Sequence, residues 1–168
     1  MTKKLIILLL AIAPIAAVAQ NAKLAHVNTS ELFNKMPEIP GIETQLNTKQ
    51  EEISKNGQAL IDEFNKKAEE FQKLAATSSE TVKADHQKQL DSIQERYQMF
   101  LQNSQKEMEE LRQKLLAPVQ QKIVNAIKSV GDEKGYTYVF DLAAGNLVYV
   151  STTAEDATPL VKTKLGIQ

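Results

Sequence analysis

The sequence predicts an α+β protein that is mostly α, with a long antiparallel, coiled-coil-like helical hairpin on a small β-containing body that oligomerises. Between about residues 42 and 114 the chain is dominated by Glu, Gln, Lys, Leu and Ala, a composition typical of a long exposed helix. Residues 136–151 are instead rich in β-branched and aromatic side chains, as strands are. Aromatic residues make up only 5% of the chain and Trp is absent, so one large core is not expected.

The first twenty residues have the features of a cleaved signal peptide. A positive start at residues 3–4 precedes an apolar run at 5–13, and residues 17–19, Ala-Val-Ala, form a cleavage pattern. The apolar run is shorter than the roughly 20 residues that a membrane-spanning helix needs, and an uncleaved anchor is the alternative. We predict a signal peptide at residues 1–19, a mature chain that starts near Gln20, and no stable membrane anchor for it. In a double-membraned bacterium such a signal peptide directs export to the periplasm or beyond.

Short elements are expected between the signal peptide and the hairpin. Residues 23–27 read as a short strand, and a cap at residues 28–30 begins a brief helix. Two prolines within residues 36–41 are expected to interrupt any regular element there, because a proline also restricts the residue before it.

The hairpin is predicted from two amphipathic runs with a polar break at residues 75–79. Apolar residues recur at spacings of three and four in both runs. Neither run can bury its apolar stripe alone, so we expect the two legs to fold back on each other. Ser79, the last residue of the break, is a good N-cap for the second helix. Folding about the break places Leu60 near Tyr97 and Phe64 near Ile93.

Several residues weaken the predicted hairpin. Gln50 and Lys67 occupy seam positions that prefer leucine, and Gly57 lies inside the first helix, where glycine costs about 1 kcal/mol relative to alanine. Pro118 lies inside the second helix and is expected to bend it before its end at Gly131. We predict arm flexibility at Gly57 and Pro118; tolerated imperfection is the alternative.

The C-terminal third is expected to complete the body. Residues 136–140 read as a strand, 143–146 as a turn and 147–151 as a returning strand. A final short helix is favoured by Pro159 near its start and Gly166 near its end.

Such a small sheet, apolar on both faces, would be marginal as a monomer, so association is expected. The body is assigned to residues 20–41 and 114–168, and the arm to residues 42–113. The residues expected to build the oligomerisation body are Leu24, Val27, Leu32, Phe33, Ile123, Ile127, Val139, Phe140, Val148 and Tyr149.

The composition excludes several classes of function. The chain has no Cys and only two, widely separated His residues, so neither thiolate chemistry nor a metal site is expected. It contains no nucleophile elbow and no phosphate-binding loop, so we predict no enzyme and no cofactor. The arm holds 10 Lys and Arg against 14 Asp and Glu, and without a basic stripe nucleic acid is not a predicted partner.

The order of the motifs resembles the Skp/OmpH family of periplasmic chaperones over essentially the whole mature chain. The motifs that carry the resemblance are residues 23–28 with 30–33, then 123–130, then 138–141 and Tyr149. The resemblance implies a homotrimer whose strands form a small barrel-like body and whose hairpins surround a cavity. It also implies that unfolded outer-membrane proteins are held in that cavity without ATP. The arm is net acidic, whereas the best-known members have strongly basic arms, so no lipopolysaccharide site is carried over.

Within this resemblance, Phe100 and Leu101 are candidates for contact with a bound client. They are adjacent on a helix, so at most one can lie deep in a two-helix seam. Two other functions are alternatives. A structural coiled-coil spacer or adaptor of the envelope would need a regular seam and an anchor, and an envelope enzyme would need a catalytic constellation that the sequence lacks.

Overall fold

A computed structural model of the chain describes residues 22–74 and 77–168. The predicted fold class is confirmed, since long helices dominate and the strands are few and short. The elements in chain order are strand β1 (Leu24–Val27), helix α1 (Thr29–Asn34), helix α2 (Ile39–Leu74), helix α3 (Glu80–Lys134), strand β2 (Tyr138–Asp141), a 3-10 turn (Leu142–Ala144), strand β3 (Glu155–Asp156) and helix α4 (Thr158–Leu165). The predicted signal peptide lies outside the described residues.

The described residues divide into two compact units. The first, called the body unit, contains residues 22–32, 125–166 and 168. The second, called the hairpin unit, contains residues 33–124 and 167.

The body unit is built on a three-stranded sheet in the order β2-β1-β3, and both neighbouring pairs are parallel. The central strand alternates: Ala25 and Val27 are buried, whereas Leu24 is 49% exposed. Parallel strands need long connections, which here contain helices. The other buried apolar side chains of this unit are Leu32, Ala126, Val130, Ala157 and Val161.

Side-chain caps fix the ends of the short body helices. The carboxylate of Asp141, at the end of β2, accepts hydrogen bonds from the Thr29 amide at 3.1 Å and the Thr29 hydroxyl at 2.6 Å. Asn28 accepts from the Glu31 amide at 3.0 Å. At the other end of the chain, Gly166 closes α4 in the left-handed conformation with φ of 71°, which glycine adopts without a steric penalty.

The predicted returning strand at residues 147–151 was wrong. No strand is assigned there, and β3 follows later, at Glu155–Asp156. The segment has strand-like composition, but within the described part of the chain its main chain has no neighbouring strand to pair with, and a strand needs a partner for its backbone groups.

Two predicted helix boundaries were also wrong. Helix α2 begins at Ile39, so Pro40 and Gly41 lie in its first turn, where the missing proline N–H has no intrahelical partner to lose. Helix α3 passes through Gly131 and ends at Lys134. The glycine that follows, Gly135, has φ of +65°, and it therefore ends the helix in the way expected of Gly131.

Candidate functional site

The hairpin unit is an antiparallel pair in which residues of α2 meet residues of α3 in a constant register. Toward the end of the hairpin away from its turn, Lys49 of α2 donates to Glu107 of α3 at 3.0 Å. In the middle, the two nitrogens of the Arg96 guanidinium bond the two oxygens of Glu63 at 3.0 and 3.1 Å. Leu60, Phe64, Ile93 and Tyr97 line one groove, as the predicted register requires.

The distal part of the hairpin keeps the same register. The ring of Phe71 stacks on that of His86 with centroids 5.7 Å apart. Ser79 accepts a 3.4 Å bond from the Val82 amide and so caps α3, which confirms the predicted helix start. His86 is therefore a packing residue of the seam.

Phe100 and Leu101 have different surroundings. A Cβ atom built at Gly57 would lie 3.2 Å from Cε1 of Phe100, so the Phe100 ring packs over the glycine. Leu101 is 37% exposed. The structure thus places Phe100 in the seam and leaves Leu101 as the more accessible of the two candidates for client contact.

The seam is interrupted by polar residues, as the sequence indicated. Gln50 is exposed, and Lys67 forms an ion pair with Glu70 at 3.2 Å. The hydrogen bond from Lys67 holds the pKa of the Glu70 carboxyl below its usual value. Among the described residues, the buried apolar side chains of α2 and of the first half of α3 are Ile42, Leu90 and Ile93. The core of the hairpin is therefore thin.

A cavity of about 440 Å³ lies where α2 begins, and it is lined by Gly41, Ile42, Pro118 and Val119 among others. Pro118 is thus inside α3, as predicted, and next to incompletely filled space. Across this cavity Lys122 forms an ion pair with Glu38, and the hydrogen bond between them lowers the pKa of the Glu38 carboxyl.

The body unit exposes apolar side chains on the sheet and after it. On the sheet, Tyr138 is 62% and Phe140 41% exposed. In the following segment Val148 is 103% and Tyr149 80% exposed. A soluble monomer rarely presents contiguous apolar surface of this kind unless it serves association or binding.

The ten residues predicted to build the oligomerisation body fall into two groups. Four are exposed in the single chain, namely Leu24, Phe140, Val148 and Tyr149. The other six are buried or half-buried, namely Val27, Leu32, Phe33, Ile123, Ile127 and Val139. The exposed group has the most surface available for contact with another chain.

One polar cluster of the body unit was missed by the sequence analysis. The Lys23 ammonium lies 4.6 Å from the centre of the Tyr136 ring and 3.7 Å from Glu155. Tyr136 donates to Glu155, and burial together with this carboxylate raises the pKa of Tyr136 to about 12. The cluster ties the chain before β1 to β3; no local pattern could have revealed it, because its members are far apart in sequence.

No metal centre is found in the described part of the chain, where no three or more His, Asp or Glu residues converge. His26 lies 3.8 Å from Asp156 on a neighbouring strand and is a structural residue of the sheet. Among residues 22–74 and 77–168, no helix combines the length and the apolar character needed to cross a membrane.

A helical hairpin with a thin, partly open seam, joined to a small sheet with exposed apolar residues, defines a class of binding protein without a shaped pocket. The sequence model of the family described as Outer membrane protein (OmpH-like) matches residues 23–165. The chain therefore belongs to the OmpH-like family, and the resemblance noted from the sequence is confirmed.

Relatives support the same assignment. The chain is 29% identical over 153 residues to the chaperone protein Skp of Yersinia enterocolitica, covering 89% of this chain and 88% of that one. It is 24% identical over 157 residues to the chaperone protein Skp of Pectobacterium atrosepticum, covering 91% and 92%. The family supports a chaperone role without catalysis.

A solved structure supports the fold. The crystal structure of a protein from Caulobacter crescentus CB15, described as an OmpH-like outer membrane chaperone, superposes with a TM-score of 0.71. It is 18% identical in sequence, and the match covers 86% of this chain and 83% of that one. At this identity the likeness concerns the fold.

Proposed function

We propose that this protein is an ATP-independent periplasmic holdase, which assembles as a homotrimer and holds unfolded outer-membrane proteins in the cavity between its arms. The observation that carries the proposal is the exposure of apolar side chains along both helices of the hairpin. The exposed residues that we assign to client contact are Ile61 and Leu74 of α2, and Val82 and Leu101 of α3. A holdase must contact many sequences weakly and reversibly, and scattered apolar surface suits that task better than a shaped pocket.

The proposal of a trimer rests on the body unit. Among residues 22–74 and 77–168, strand β2 pairs with β1 on one side only, so its other edge has backbone groups that can accept a further strand. Residues 147–150, Leu-Val-Tyr-Val, are exposed and have strand-forming composition. Pooling such segments from several chains would pair these backbone groups and bury Val148 and Tyr149, which a single chain leaves in water.

The sequence supports the proposed location and the proposed independence from ATP. The N-terminal segment has the features of a secretory signal peptide, which supports the periplasm. The sequence has no phosphate-binding loop, so release of the client is proposed to depend on weak binding rather than on nucleotide hydrolysis.

The arm charge restricts how clients are captured. With 10 basic and 14 acidic residues between 42 and 113, the arm does not attract acidic chains or anionic lipid headgroups. We propose that apolar contact dominates client capture in this chain.

The proposal is tested by static light scattering on the mature protein, alone and after dilution of a urea-unfolded outer-membrane β-barrel protein into it. We expect a trimer that converts to a discrete soluble complex, with aggregation of the barrel protein suppressed. A stable oligomer that leaves the barrel protein to aggregate would contradict the holdase proposal and favour a coiled-coil spacer or adaptor.

A further inference from the structure

The two sides of the hairpin seam differ sharply in charge. A cavity of about 370 Å³ on one side is lined mainly by charged residues, namely Glu63, Lys67, Asp85, Lys88 and Arg96, with Gln89, Ser92 and Ile93. The bidentate Glu63–Arg96 pair crosses from helix to helix here. We call this side, which an interhelical ion pair crosses, the charged side.

The other side carries a groove without charge. Its volume is about 260 Å³, and its lining residues are Leu60, Ile61, Phe64, Ile93, Gln94, Tyr97 and Gln98. Ile93, which is 5% exposed, lines both cavities. The other α3 residues of the two linings fall on opposite faces of that helix, so the cavities lie on opposite sides of the seam. We call the second one the neutral groove.

The polar groups at the neutral groove have spare hydrogen-bonding capacity. Within the described part of the chain, the side-chain amides of Gln94 and Gln98 have no hydrogen-bond partner, whereas those of the nearby Gln87 and Gln89 donate to Asp91 and Asp85. Each free amide offers two donors and one acceptor, which match the C=O and N–H groups of a peptide backbone of any sequence.

The spacing of the two amides matches an extended chain. Four residues along a helix give a rise of about 6 Å, and two residues along an extended strand give about 6.7 Å. Gln94 and Gln98 can therefore meet the backbone at alternate residues of one strand. Side chains on one face of such a strand would meet the apolar residues of the groove, because strand side chains alternate between faces.

We propose that the neutral groove holds an extended, uncharged segment of the unfolded outer-membrane protein, in which apolar and polar side chains alternate. This rests on the proposed holdase function and assigns it to one side of the arm. The arm of a second copy is a poor occupant, because both arms carry a net charge of −4 between residues 42 and 113 and would repel each other. An uncharged groove, in contrast, imposes no desolvation of fixed charges on a neutral segment.

The structure offers a matched pair of variants to test the groove. Ile61 lines it and is 37% exposed, whereas Met99 is 52% exposed and lies one helical turn from Arg96, on the charged side. Ile61→Gln and Met99→Gln each replace one accessible apolar side chain by an amide. A third variant, Gln94→Ala with Gln98→Ala, removes both free amides and leaves the apolar residues in place.

The measurement is the Kd of each mature variant for a urea-unfolded outer-membrane β-barrel protein, with light scattering to record the oligomeric state. We expect Ile61→Gln to weaken binding about tenfold, because one apolar side chain that the client would bury is lost. The paired glutamine variant should lose several-fold, and Met99→Gln should stay within about twofold.

Each other outcome would overturn the assignment. If the wild-type protein protects the client and Ile61→Gln and Met99→Gln bind equally well, the neutral groove is wrong while the holdase function stands. If Ile61→Gln changes the oligomeric state, a second copy occupies the groove. If the wild-type protein leaves the client to aggregate, the holdase proposal itself fails, and the groove assignment with it.

Discussion

The ring of Phe100 lies over Gly57, so closely that a Cβ atom at position 57 would be 3.2 Å from Cε1 of the ring. This distance is shorter than ordinary van der Waals contact, which begins near 3.4 Å. The glycine therefore has a packing role, because it makes room for an aromatic ring where α2 and α3 meet. The flexibility predicted for Gly57 is a separate property.

The packing role predicts a coupling between the two positions. Gly57→Ala should gain up to about 1 kcal/mol of helix propensity, but the wild-type Phe100 ring must shift to admit the methyl group. We expect the alanine to stabilise less in the wild-type background than in Phe100→Leu, by roughly 0.5–1 kcal/mol. Urea unfolding of the four proteins measures this, and equal effects in both backgrounds would contradict the packing role.

The flexibility prediction for Gly57 is tested by hydrogen exchange of the same alanine variant. If glycine loosens the helix, Gly57→Ala should slow amide exchange in residues 53–61 relative to the wild type, because local opening then costs more. Exchange in the body unit serves as the internal control. Unchanged exchange over residues 53–61 would leave Gly57 with a packing role alone.

The Glu63–Arg96 pair joins the two helices of the hairpin, so charge reversal at these positions tests the register of α2 against α3. Reversing one charge, as in Glu63→Arg, places two guanidinium groups together and should cost roughly 0.5–1 kcal/mol of unfolding free energy, since the pair is half-exposed. The double reversal, Glu63→Arg with Arg96→Glu, should recover most of that loss in urea unfolding. Failure to recover it would mean that the two side chains do not meet in solution.

The Glu38–Lys122 pair predicts a pH dependence. The bond from Lys122 lowers the pKa of Glu38 below its ordinary value of 4.5, so the pair stabilises the fold above that pH, and the contribution is lost as the pH falls through the lowered pKa. Lys122→Gln should therefore be less stable than the wild type at pH 7, with a difference that shrinks toward pH 3.

The matched control for this prediction is Lys128→Gln, an exposed lysine of the same helix with no ion pair among the described residues. Its difference from the wild type should be small at both pH values, as is usual for surface substitutions. Unfolding midpoints in urea measure all three proteins. A Lys122→Gln difference that is constant with pH would show that the ion pair contributes nothing.

The exposed body segment predicts an assembly defect. Val148→Asp with Tyr149→Asp should convert the proposed trimer to monomers, because burial of these side chains would then bury unpaired charge. Thr152→Asp adds a charge at an exposed position of the same loop and should leave the assembly intact. Multi-angle light scattering distinguishes the two results, and a trimer that survives the double substitution would place the interface elsewhere.

The sequence and the structure agree best where a long periodic pattern carries the information. The two helices of the hairpin, the contact of Leu60 and Phe64 with Tyr97 and Ile93, and the cap at Ser79 were all predicted, since they depend on spacing within a helix and on one turn. The returning strand at 147–151 failed because strand formation needs a partner, which composition alone does not supply.

The sequence by itself determined the helical hairpin, its register and its family, because hydrophobic periodicity and the order of short motifs are written along the chain. Only the tertiary structure decided which of Phe100 and Leu101 enters the seam. It also decided that charged residues line one side of the hairpin, where Glu63 pairs with Arg96, and that the groove on the other side is uncharged. Those facts depend on which residues of α2 face α3, and this facing is set by the packing of two helices rather than by either sequence pattern alone.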